Sequence, residues 1–392
     1  MARPGFLSSQ LVLCVWLLLV VVGGVCGRRQ IMRSPSSYRL NAAVAPQPPV
    51  AQNTSAPAAL SAKLPVFFFH GVLSNDKSGL NIAANLTAEG RVVNSLAFCN
   101  DQCSTRALRD QVQLAIADIR EIVSNDLRLY ENGYIFIGHS QGGMLARAVI
   151  QEMNDHQVKT FISLAGVVNG VFYGPQPADT VPSLVFTSGF AQSIVPSSVW
   201  DMSKYTWPND FRGKYQYDFD VFASAHLDLQ NKYSFFNLAR SPVQKEWATS
   251  FTFLPELNNI NPCAQHDLNC TTNQERRRTN FLKLQSAHFF ASPDDGVVAP
   301  WQTSILGQYS LLSSVDELKT KFSSLRILDV KDTIEYQEDT YGLKTLDTRG
   351  RLFLHTVAHV PHTCWVTDST TYATAQTCSF KATFDQHIYP LL

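Results

Sequence analysis

The sequence predicts an α/β fold: a mostly parallel sheet with helices on both faces. Short apolar runs alternate with stretches of helical periodicity through residues 64–164, and a serine sits among glycines where one such run gives way to a helix. Size agrees, since 392 residues, 45% of them hydrophobic, can bury a large core.

Taken in order, residues 64–70 (LPVFFFH) read as a buried strand and residues 91–98 as a second. Leu108, Val112, Ala115, Ile116, Ile119, Ile122 and Val123 then recur at three- and four-residue steps, the stripe of an amphipathic helix, with Ser104 or Thr105 placed to cap it. Residues 134–150 (YIFIGHSQGGMLARAVI) supply a third strand and its helix, and residues 158–164 (VKTFISL) a fourth strand. Residues 165 to about 285 break the pattern with aromatics, prolines and asparagines, and read as an insertion over the sheet's carboxyl edge. The pattern resumes at residues 286–291 and 351–357.

The amino terminus is set apart. Arg3 precedes an apolar run over residues 11–25 that closes on Gly24 and Gly27, the order of a signal peptide. The run is shorter than the roughly 20 residues a spanning helix needs. Residues 1–27 are therefore read as a signal peptide, and residues 28–62, rich in Ser, Ala, Pro and Gln, as a mobile leader before one domain over 63–392. Sequons at Asn85, Asn269 and Asn53 support export to a glycosylating compartment. Removing the signal takes Cys14 and Cys26 and leaves six cysteines, whose close spacings favour Cys99 with Cys103, Cys263 with Cys270 and Cys364 with Cys378. Zinc is not indicated, because no second Cys/His pair has finger-like spacing. Lys plus Arg equals Asp plus Glu at 32 each and no long basic run occurs, which argues against nucleic acid as a partner.

Gly138-His139-Ser140-Gln141-Gly142 fits G-x-S-x-G between a strand and a helix. A sharp turn there strains the backbone at Ser140 and exposes its hydroxyl, while the helix amino terminus aims N–H groups at the same point. A serine nucleophile needs a base, and the base an orienting acid, in the chain order Ser, acid, His. Asp295, with Asp294 as the alternative, follows the strand at 286–291. His359 and His362 follow the next strand and both qualify as the base, with His362 ahead; His355 lies inside that strand and reads as structural. His139 reads as a packing residue. The oxyanion donors fall on the Gln141 N–H and, in the loop His70-Gly71-Val72 after the first strand, the Val72 N–H. Phe172, Tyr173, Trp200, Trp207 and Phe211 are either the lining of an acyl groove or a small core under the insertion.

The stretches FFFHGV, GHSQGGMLARAVI, FISLAG, SPDDGVVAPWQ, YGLKTLDTRGRL and HTCW together resemble the palmitoyl-protein thioesterase family, nearest its lysosomal second branch, over roughly residues 64–392. The resemblance implies an α/β-hydrolase that cleaves long-chain fatty-acyl thioesters of lipid-modified protein or acyl-coenzyme A in lysosomes. The chemistry requires no metal or cofactor and no motif calls for one; no stable membrane span is expected once the signal is removed, and the protein is expected to be lysosomal or secreted. Carried over by position, it implies Ser140 as nucleophile, Asp295 as acid, His362 as base, Val72 and Gln141 as oxyanion donors, and a Cys364–Cys378 disulfide. The chain departs from the family in lacking matched cysteines over residues 175–255, in carrying Cys263 and Cys270, and in a longer stretch at 304–340. The rival readings are a secreted lipase or esterase acting on oxygen esters, a peptidase of the same fold, and a non-catalytic binding protein.

Overall fold

The computed structural model describes residues 63–179, 190–207, 209–371 and 376–392. The expected signal peptide, leader and Asn53 sequon lie outside the described residues. Six parallel strands form the sheet: β1 (Val66–Phe69), β2 (Val93–Ser95), β3 (Tyr134–His139), β4 (Val158–Leu164), β5 (Ser286–Ala291) and β6 (Leu352–Thr356), in spatial order β2-β1-β3-β4-β5-β6. The chain runs outward from β1 to β2 and then crosses to β3 on the other side. The loops after β1 and β3 therefore start from neighbouring strands at the carboxyl edge, at the point where the strand order reverses, the position where open α/β sheets build their sites.

Side-chain alternation along the strands divides the core. Phe67, Phe69, Phe136, Phe161 and Phe289 face one side, and Val66, Phe68, Ile135, Ile137, Ile162 and Phe290 face the other. Helix α1 (Leu80–Thr87) covers the second face through Ile82 and Leu86, together with Trp365, Phe380 and Phe384 from the carboxyl-terminal segment. Helices α2 (Leu108–Asn125) and α3 (Gln141–Glu152) cover the first face. Residues 141–151 of α3 are all buried, so this helix runs through the interior of the domain.

Two sequence expectations change. Strand β2 is shorter than residues 91–98, because beyond Ser95 the chain leaves the ladder after Leu96 N–H donates to Phe68 O at 3.0 Å. Neither Ser104 nor Thr105 caps α2; both lie in a short 3₁₀ turn, Asp101–Thr105, and the helix begins after Ala107 without a side-chain cap of its own. The Leu108 N–H instead donates to Asn237 Oδ1 at 2.8 Å, a residue of the insertion.

The stretch read as an insertion is largely helical, with α4 (Lys214–Ala225) and α5 (Gln244–Ser250) among short helical turns. Helix α6 (Leu268–Phe281) lies within the same span but packs on α3 and buries Phe281 in the main core, so it serves as the crossover helix between β4 and β5. The 304–340 stretch joins the insertion: Leu318, Phe322 and Leu325 pack with Phe172, Val243 and Tyr309. Arg240 of the insertion meets Glu335 at 2.6 Å, both nearly fully buried, with Asn258 also donating to that carboxylate at 3.0 Å. The three disulfides are Cys99–Cys103, Cys263–Cys270 and Cys364–Cys378.

Asn237 also donates to Gln230 O at 2.7 Å, so it ties the insertion to the start of α2. Replacing Asn237 with Ala strands a buried helix N–H and is expected to cost about 1–3 kcal/mol, read as a lowered urea midpoint at unchanged slope.

Candidate active site

Ser140 follows β3 and precedes α3 at φ 58°, ψ −129°, a left-handed conformation that is costly for a residue with a Cβ. Neighbouring hydrogen bonds hold it there. Its N–H donates to Leu164 O at 3.1 Å, and its carbonyl accepts from Gly143 N at 3.0 Å and Val167 N at 3.2 Å. The glycines of the motif are required by close backbone approach. A Cβ on Gly142 would lie 2.2 Å from Phe69 O, and one on Gly138 would lie 2.4 Å from Gly142 O. The loop after β1 closes on Ser140 in the same way: a Cβ on Gly71 would stand 3.0 Å from Ser140 Cβ and 3.4 Å from Ser140 Oγ. Val72, the next residue, has an N–H with no acceptor among the described residues. Gln141 is the first residue of α3, so its N–H has no intrahelical acceptor and the positive helix end is beside Ser140.

The loops after β5 and β6 bring the two acids and two histidines together in two separate pairs. His362 Nδ1–H donates to Asp295 Oδ2 at 3.0 Å, and His362 N–H donates to Asp295 O at 2.9 Å. Asp295 Oδ1 also accepts the N–H groups of Val297 at 3.0 Å and Val298 at 2.7 Å. A carboxylate so bonded has little freedom to turn, and its bond to Nδ1 leaves Nε2 of His362 free to accept a proton. Asp294 Oδ2 instead accepts the His359 N–H at 2.8 Å, and His359 is largely exposed. The adjacent acids thus face different histidines, and only the 295–362 pair is buried. Ser292, which sequence reasoning did not single out, joins the two loops: its hydroxyl accepts from Asp294 N at 3.1 Å and Val360 N at 3.3 Å. Among the described residues Ser140 Oγ makes no hydrogen bond of its own. Catalytic hydrogen bonds of this kind commonly tighten only with substrate bound.

His139 packs its ring on His362 at 4.8 Å between centroids and donates Nε2–H to the His362 carbonyl at 2.8 Å. Burial, reinforced by the neighbouring His362, lowers its pKa to about 3. His355 is not part of this group. It stacks on Phe290 at 4.2 Å, and its Nε2 lies 3.2 Å from His288 Nδ1. His70 is fully buried, stacked on Phe98 at 5.2 Å, with Nδ1–H donating to Gly71 O at 2.9 Å; burial lowers its pKa.

The five insertion aromatics pack mainly on one another and their neighbours. Phe211 stacks on Tyr215 at 4.5 Å, and Tyr173, Trp200 and Trp207 surround that pair. Phe172 packs on Tyr309. This packing favours the core reading for them. Of the glycosylation candidates, Asn269 is exposed at the start of α6, whereas Asn85 is half-buried in α1 with its side chain donating to Asn81 O at 2.8 Å.

The family described as palmitoyl protein thioesterase matches residues 65–362, a span that runs from the start of β1 to His362. The chain is 28% identical to lysosomal thioesterase PPT2 of Homo sapiens over 315 residues, covering 79% of this chain and 85% of that protein. It is 24% identical to palmitoyl-protein thioesterase 3 of Dictyostelium discoideum over 242 residues, covering 62% of this chain and 65% of that one. Among solved structures it matches an extracellular alpha/beta-hydrolase from Paenibacillus species over 67% of this chain and 96% of that chain, at TM-score 0.33 and 14% identity.

The depressed pKa of His139 has a definite sign. In the unfolded chain this imidazole gains its proton near pH 6.5, but in the fold it stays neutral down to about pH 3. The unfolded state therefore binds more protons across that window, and stability falls as the pH drops through it. Replacing His139 with Gln removes this contribution, so the stability gap between native protein and variant, from urea unfolding, is expected to narrow between pH 7.5 and pH 4.5.

Proposed function

We propose that this chain, which belongs to the palmitoyl protein thioesterase family, hydrolyses long-chain fatty-acyl thioesters through an acyl-serine intermediate. The observation that carries the reading is the strained Ser140 elbow, set at the same sheet edge as the buried Asp295–His362 pair. The relatives named as thioesterases support the choice of a thioester over an oxygen ester. All six cysteines of the described residues are in disulfides, which leaves none of them as a competing thiol nucleophile.

In the proposed reaction Ser140 Oγ adds to the thioester carbonyl carbon as His362 Nε2 takes its proton. The carbonyl oxygen becomes an oxyanion held by the N–H groups of Val72 and Gln141. Collapse of this intermediate breaks the C–S bond, and the thiol leaves with a proton from His362. Water, deprotonated by His362, then adds to the acyl-Ser140 ester; the second intermediate collapses as the C–Oγ bond breaks, Ser140 Oγ takes the proton back from His362, and the fatty acid is released. Asp295 keeps the imidazole in the required tautomer and stabilises its charged form. A thiolate is a good leaving group, so acylation needs less acid assistance than amide cleavage would.

The substrate we favour is a lipid-modified protein or acyl-coenzyme A. We place the protein in the lysosome or outside the cell. The amino-terminal apolar run and the names of the lysosomal relatives support that placement. No helix among the described residues is long and apolar enough to cross a membrane.

Hydrolysis of palmitoyl-coenzyme A beside a palmitoyl oxygen ester tests this reading. Thioester cleavage that disappears in Ser140→Ala supports it, while cleavage of the oxygen ester alone moves the assignment to a lipase. The two acids supply a second test. Asp295→Asn is expected to lower kcat by about 10⁴-fold through the wrong His362 tautomer, and Asp294→Asn by less than about 10-fold. A larger loss from Asp294 would transfer the role to the other pair.

A further inference from the structure

We infer that Ser104 is a positioning residue for the oxyanion site, holding in register the two backbone segments that supply its donors. The inference rests on the reading of Val72 and Gln141 as those donors. Ser104 is fully buried and makes four hydrogen bonds to or near these segments. Its hydroxyl accepts the Leu73 N–H at 2.6 Å and donates to Asp101 O at 2.5 Å. Its carbonyl accepts Nε2–H of Gln141 at 2.8 Å and of Gln111 at 2.9 Å.

The two halves of this contact act on different donors. Leu73 directly follows Val72 and sits at φ 53°, a left-handed conformation that a leucine keeps only when its surroundings hold it. Fixing the Leu73 N–H turns the Val72 carbonyl of the same trans peptide to the opposite side, so the peptide cannot roll about the donor before it. On the other side, the Gln141 carboxamide is anchored to Ser104 O, and the backbone N–H of the same residue is the second proposed oxyanion donor. The segment carrying Ser104 is itself braced. Cys99–Cys103 closes it, Asp101 N–H donates to Ser74 O at 2.6 Å, and Asn75 Nδ2–H donates to Asp101 Oδ1 at 2.8 Å. One residue thus links the loop after β1 to the first turn of α3, across a site where catalysis depends on donors held to a fraction of an ångström.

The test separates positioning from stability. Two long-chain probes are used: a trifluoromethyl ketone, which Ser140 attacks to form an oxyanion-bearing hemiketal, and the matching thioether, which binds without reacting. Ser104→Ala is expected to lower kcat about 10- to 100-fold with KM within about 2-fold, and to weaken the trifluoromethyl ketone by the same factor as kcat/KM. Thioether affinity should be unchanged, and Ser104→Thr, which keeps the hydroxyl, should recover most of the loss. If Ser104→Ala does not fold, Gln141→Met, which keeps the backbone N–H and loses the anchor, is expected to show the same split between probes. Unchanged kcat, equal weakening of both probes, or no recovery in a folded Ser104→Thr would overturn the inference. The comparison uses whichever acyl ester the native protein cleaves. Absence of thioesterase activity would therefore count against the proposed function, while the split between the two probes would still decide the role of Ser104.

Discussion

The close approach of backbone at the turn between β3 and α3 is the constraint on which the site depends. Gly142 lies against the carbonyls of Phe69 and His70, and Gly138 against the carbonyl of Gly142, at distances that leave no space for a methyl group. That contact brings the end of β1, the end of β3 and the start of α3 to one point. It forces Ser140 into its left-handed conformation and places Gly71 against it. The strand directions supply the rest. Because all six strands are parallel, the loops after β1, β3, β5 and β6 reach the same carboxyl edge.

A strained turn persists only in rigid surroundings, and the buried polar groups around it provide them. Arg147 in α3 is fully buried. It donates to Val168 O and Asn258 Oδ1, each at 2.7 Å, and its guanidinium lies 4.1 Å over the ring of Tyr341. Asn258 belongs to the insertion and also donates to Glu335 Oε1, the partner of Arg240. The helix that follows Ser140 is therefore bonded to the insertion, and the insertion to the 304–340 stretch. Replacing a member of such a network leaves its partners buried without hydrogen bonds, which costs more than the bonds themselves contribute. His139 does similar work, since its bond to the His362 carbonyl restrains the loop that carries His362.

Much of the fold was legible in the sequence because its signals are local. The apolar runs of β1, β3, β4 and β5 and the turn chemistry around Ser140 are written in consecutive residues, and each disulfide joins cysteines no more than 14 positions apart. What was hidden depends on distant partners. The cap of α2 comes from Asn237, 129 residues away, and no local pattern could point to it. Ser104 was visible only as a candidate cap, because its bonds to Leu73 and Gln141 cross between segments that only the fold brings together. Sequence reasoning put Asp295 ahead of Asp294, although spacing alone does little to separate two adjacent residues. The turn after β5 separates them by directing one inward to His362 and the other outward to His359. Helix α6 was hidden within the insertion because its exposed face is strongly polar, and its role became apparent only from its packing on α3.

The most direct test of the account is to trap the acyl-enzyme. Native protein turning over palmitoyl-coenzyme A would be quenched rapidly in acid, digested, and its peptides weighed by mass spectrometry. The account predicts a palmitoyl group on the peptide bearing Ser140, absent from Ser140→Ala treated identically. Steady turnover with no adduct, or an adduct on another residue, would contradict it.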